Sequence, residues 1–154
     1  GLPDGGGDVW GQDPEVMGRV MGITAGEKPT IMYYHNADPH VDHRGVCDVM
    51  STIVDLVGSV REAYRFVVWT KELAEGRTDV DAGAISEIPQ DAVRIPSNSF
   101  LAGFKQRALY RMRSQVQVWP YPHWQVQDRP NLTKAFIERC VGTEEIFIPV
   151  KITR

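Results

Sequence analysis

Gln106-Arg107-Ala108-Leu109-Tyr110-Arg111-Met112-Arg113-Ser114-Gln115-Val116-Gln117-Val118-Trp119 is the stretch on which the reading of the fold turns. Ala108, Tyr110, Met112, Val116 and Val118 occupy even positions, and Arg107, Arg111, Arg113, Gln115 and Gln117 occupy odd ones. A period of two places one set against a core and the other in water, as in a strand; around a helix axis both sets would scatter. Pro120 and Pro122 would end the strand, since proline lacks the N–H a ladder needs.

Neighbouring segments read the same way. Glu145 to Thr153 alternates, with Ile146, Ile148, Val150 and Ile152 on one face. Thr30 to His35 is β-branched and aromatic, and Glu62 to Lys71 sets Tyr64, Phe66 and Val68 opposite Arg65, Val67, Trp69 and Lys71. Ala92 to Ile95 is a brief strand stopped by Pro96. The period changes only from Val46 to Val57, where Val46, Val49, Met50, Ile53 and Val57 recur at steps of three and four and Gly58 follows. Asp13-Pro14-Glu15 starts a second short helix, running to about Val20. Gly22 to Pro29 and Glu75 to Gln90 read as loops, and Leu132 to Cys140 fits either helix or strand. Many strands with one or two short inserted helices predict a mainly β fold, an antiparallel β-sandwich of jelly-roll type. Residues 1–12, rich in Gly and Asp, form a flexible arm in this reading, and 13–154 form a single sandwich domain.

The chain has 154 residues, the size of an ordinary domain, with 42% hydrophobic and 24% charged residues. A net charge of -3 gives the surface as a whole no pull toward nucleic acid or anionic membrane. No apolar run is long enough to span a bilayer, and no secretion signal is visible. The first residue is Gly1 rather than Met, which suits a processed polyprotein. Cys47 and Cys140 are too few for a disulfide framework and read as buried thiols. Asn131-Leu132-Thr133 fits a glycosylation sequon but has no secretory context.

Four places carry chemistry-bearing residues. His35, Asp38, His40, Asp42 and His43 bring imidazoles and carboxylates within nine residues, and His35, His40, Asp42 and His43 form a candidate zinc or iron set. His40-Val41-Asp42-His43 resembles, in part, the end of the metallo-β-lactamase motif, and a metal-dependent hydrolase or oxygenase is one alternative function. The plainer reading is a polar loop that uses these side chains for turns and caps. His43 and Cys47, four apart, fit a nucleophile pair, though packing explains Cys47 more simply. Lys105, Arg107, Arg111 and Arg113 form a basic row suited to RNA phosphate or to a neighbouring subunit. Trp119, Tyr121 and Trp124 form an aromatic loop that would suit a binding module. Gly5-Gly6-Gly7 lacks the Lys-Ser or Lys-Thr of a phosphate loop, and no cofactor is expected.

The order of features resembles the capsid proteins of picorna-like viruses of insects. Asp13 to Gly22 looks like their helical entry, Ile31 to Tyr34 followed by Ala37-Asp38-Pro39 like a strand leaving through an Asp-Pro turn, and Val46 to Val57 like the helix crossing the sandwich. Gly58-Ser59-Val60 with Tyr64-Arg65-Phe66, Val93-Arg94-Ile95-Pro96, Leu109 to Pro120 and Ile146 to Ile152 resemble later strands. Leu56-Val57 stands where the family has an aromatic-Arg pair. The resemblance implies a non-enzymatic shell protein of the virion. It would pack with other capsid subunits around single-stranded RNA, held without sequence preference.

Overall fold

The computed structural model describes residues 5–69, 88–117, 132–142 and 144–154. Among them helix is the main element, and the strands form one four-stranded sheet in the order β1-β2-β4-β3. The expected jelly-roll sandwich is therefore replaced by a mixed α/β fold. The chain divides into two compact units, Gly1–Arg94 with Ile146–Arg154, and Ile95–Glu145.

In the first unit a helical turn, α1 (Gly7–Trp10), stands where a flexible arm was expected. Trp10 is buried, and the backbone around Gly7 lies directly on the next long helix but one, α3 (Val41–Leu56). A Cβ on Gly45 would lie 2.5 Å from the Gly7 carbonyl oxygen, and a Cβ on Gly7 would overlap the Val41 backbone. Glycine is required on both sides of this crossing because backbone meets backbone.

Helix α2 (Pro14–Glu27) begins as the sequence predicts. Asp13 caps it by accepting from the Glu15 and Val16 amides, and Pro sits in the first turn. It then runs past Val20 through the expected loop and stops at Lys28, which takes a left-handed φ of 49°.

β1 (Ile31–His35), α3 and β2 (Glu62–Phe66) form a βαβ unit, with β1 and β2 parallel and Ile31 opposite Glu62 through His35 opposite Phe66. β4 (Glu145–Pro149) pairs antiparallel with β2, Phe66 opposite Phe147. Strand alternation then sorts the side chains. Tyr34 and Ala63 join Val49, Ile53, Val54, Val57 and Val60 in the core under α3. Val67, Ile146 and Ile148 form a second buried cluster with Ile88 and Ala92 against them. β3 (Val93–Ile95) completes the sheet at its edge.

In the second unit the decisive stretch is helical. Helix α4 (Ser99–Arg111) and the turn α5 (Arg113–Val116) occupy most of the predicted long strand; Val118 and Trp119 lie outside the described residues. Two forces outweigh the alternation. Residues 99–111 contain no Val, Ile or Thr and several strong helix formers, Leu, Ala, Lys, Gln and Arg. Asn98 also caps the start, its side chain accepting from the Leu101 amide at 2.9 Å. The open segment near residue 132 is helix α6 (Lys134–Gly142), capped by the Thr133 hydroxyl, which accepts from the Phe136 amide. Phe136 and Ile137 are its buried residues.

Candidate functional site

The His and Asp residues singled out in the sequence lie at the carboxyl end of β1, where the chain turns into α3. In open α/β sheets this end of a strand is where ligands commonly sit. Three imidazoles stack here: His35 and His43 have centroids 4.1 Å apart and nearly parallel planes, and His40 lies 4.7 Å from His43. Asp38 organises the turn. One carboxylate oxygen accepts from the His40 amide at 2.9 Å and the other meets His43 Nδ1 at 2.7 Å. The Asp38 side chain is only 3% exposed, so this pairing fixes the orientation of the His43 ring. His40 caps α3 by accepting from the Asp42 amide at Nδ1. The turn-and-cap role that the sequence suggested for this loop is what these bonds perform.

Asp42 points elsewhere. Its two carboxylate oxygens accept from the Gly5 amide at 3.1 Å and the Gly7 amide at 3.2 Å. The glycine turn does hold an anion, but it is the protein's own carboxylate. The candidate metal set is thus divided, with His35, His40 and His43 stacked and Asp42 engaged with the N-terminal turn. Imidazole lone pairs lie in the ring plane, so rings stacked face to face do not converge on a common point. Among the described residues no group of three or more His, Cys, Asp or Glu is arranged to hold a metal ion.

Burial pushes the His35 pKa below its ordinary value, and the neighbouring His43 and His40 add to this while Asp38 opposes it. His35 is therefore neutral at pH 7. Its Nδ1 is buried and makes no hydrogen bond.

A separate aromatic face, which the sequence reading missed, lies on the other side of the sheet. Ile31 and Tyr33 share this face of β1, and by register they stand opposite Glu62 and Tyr64 of β2. Tyr33 and Tyr64 stack at 5.4 Å with planes 17° apart. Phe147 meets Tyr33 edge-on at 5.4 Å and Phe66 at 5.4 Å. This is the face opposite the α3 core, and Tyr33 remains 60% exposed. The Tyr64 hydroxyl donates to Glu62 at 2.8 Å, which raises its pKa and keeps it protonated. The signal was present in the sequence as aromatics of one parity in three strands, but it becomes a surface only once β1, β2 and β4 are placed side by side.

The basic row changes its geometry with its secondary structure. On a helix, Arg107 and Arg111 share a face, four residues apart. Lys105 turns away from them, donating to the Cys140 carbonyl at 3.1 Å and pairing with Glu145 at 2.6 Å. Burial pushes the Cys140 thiol pKa up to about 11, with Lys105 opposing the shift. Cys47 is buried, and its thiol meets the Ser51 hydroxyl at 3.9 Å, one turn further along α3. The aromatic loop of Trp119, Tyr121 and Trp124 lies outside the described residues. No helix among the described residues is long and apolar enough to cross a membrane. No family model, curated protein or solved structure matches this chain.

Proposed function

We propose that the chain is a binding module for a small, planar heteroaromatic ligand. The ligand stacks on the exposed side of the Tyr33 ring, whose other side is backed by Tyr64. The observation that carries this reading is the stacked, solvent-facing Tyr33–Tyr64 pair on the sheet face away from the α3 core. Two features support it further. Phe147 and Phe66 extend the aromatic face on the neighbouring strands. Glu62 fixes the Tyr64 ring through its hydroxyl, so less freedom is lost when a ligand docks. The jelly roll that the shell-protein resemblance implied is not the fold, since the sheet among the described residues has four strands with a parallel pair.

Uncharged purine and pyrimidine nucleosides are a suitable first panel, with ring-proton shifts of Tyr33 and Tyr64 as the readout. A stacked ring contributes roughly 1–3 kcal/mol, so Tyr33→Ala should weaken binding by about tenfold or more. Absence of any Tyr33 or Tyr64 shift at millimolar ligand, or binding that survives both Tyr33→Ala and Tyr64→Ala, would sink the reading.

A further inference from the structure

We propose that the outward face of α4 docks on an anionic lipid bilayer. This surface belongs to the second unit and is independent of the sheet face. Helix α4 buries none of its thirteen residues. At 100° per residue, Phe100, Phe104, Arg107 and Arg111 fall on one face. Phe100 is 70% exposed and Phe104 51% exposed. The opposite side, with Ala102, Lys105 and Leu109, is the less exposed one, and Lys105 bonds there to the end of α6.

Charge selects the partner. From Ser99 to Val116 there is no Asp or Glu, while Lys105, Arg107, Arg111 and Arg113 are all cationic. The outward face therefore pairs two large apolar rings with two guanidinium groups. A helix lying in the interface of a membrane carries this combination, rings reaching the acyl boundary and cations meeting lipid phosphates. Single-stranded RNA is the less favoured partner. Phe100 and Phe104 pack edge to face, 4.8 Å apart at 69°, and Arg107 lies over the Phe104 ring at 4.6 Å. The rings thus turn edges and a covered face outward rather than a row of parallel platforms for bases.

The test is flotation of the full chain with vesicles of phosphatidylcholine alone or with 30% (about one lipid in three) phosphatidylserine. The protein should float with the anionic vesicles, far less with the neutral ones, and less again in 0.5 M salt (about half molar). Phe100→Ser with Phe104→Ser should reduce partitioning by roughly tenfold or more, and Arg107→Ala with Arg111→Ala by about twentyfold. Because α4 buries no residue, both double variants should keep the circular dichroism and melting temperature of the parent. Slowed amide exchange over residues 99–111 of the unaltered protein on anionic vesicles gives a readout that needs no variant. Failure to float with anionic vesicles overturns the proposal. So does flotation that both double variants leave unchanged. Binding of a short single-stranded RNA that depends on Arg107 and Arg111, without vesicle binding, assigns the face to nucleic acid instead.

Discussion

His35 couples the candidate site to pH. Its folded-state pKa lies below the ordinary value of 6.5 because burial and two neighbouring imidazoles disfavour the charged ring. The unfolded chain therefore binds the proton more readily, and stability is full above about 6.5 and is lost as pH falls toward the folded value. Melting temperatures should drop on acidification through that window, and His35→Gln should flatten the dependence. An unchanged slope in the variant would place the titration elsewhere. Two other single residues make opposite predictions. Lys28 holds a left-handed φ of 49° at the end of α2, and only glycine adopts that region without cost. Lys28→Gly should therefore stabilise the protein by about 1 kcal/mol in denaturant melts. Gly45→Ala should do the reverse, because its Cβ would meet the Gly7 backbone and neither chain can move aside without separating α1 from α3. A loss of about 1–3 kcal/mol is expected, read as a lower denaturant midpoint with unchanged slope.

Helices and strands differed in how plainly the sequence declared them. The α3 stripe, the Asp13 cap of α2 and four strands near residues 31, 62, 93 and 145 follow from local pattern, because in each of them period and propensity agree. Residues 106–117 put the two in conflict. Ala108, Tyr110 and Met112 alternate with arginines, but the residue types favour helix and Asn98 supplies a start signal upstream of the stretch being read. Alternation of long amphipathic side chains is a weaker signal than alternation of β-branched ones, because Arg covers apolar surface with its own methylenes. Asn98→Ala should therefore destabilise α4 by about 1 kcal/mol, seen as a loss of helical ellipticity with the sheet signals retained. The histidine turn was half legible. His40 and Asp38 act as the caps that their residue types suggest, which extends α3 one turn further toward its N-terminus than the apolar stripe indicates. The stacking of the three rings depends on bringing β1 and the first turn of α3 together, which no local pattern encodes.

For the whole molecule, the number of strands does not by itself select the architecture. A few short strands suit a sandwich or an α/β sheet equally, and the connections decide. Here the link from β1 to β2 is a helix, which permits parallel pairing. The two compact units each have fully buried aliphatic side chains, Ile53, Val54 and Val60 in one and Ile137 in the other. Ile53→Ala and Ile137→Ala should each cost about 2–5 kcal/mol, read as a lower denaturant midpoint.

The arrangement of the sheet also dictates an order of assembly. β1, α3 and β2 are contiguous in the chain and can associate as soon as they are synthesised. β4, which takes the other side of β2, arrives only after residues 67 to 144 have been made. Until then β2 presents an open edge with Phe66 beside it, the kind of nascent surface that recruits a stray strand or a chaperone. Pairing across so long a separation carries a larger loop-closure cost than the local β1-α3-β2 contacts, so docking of β4 is expected as the later step.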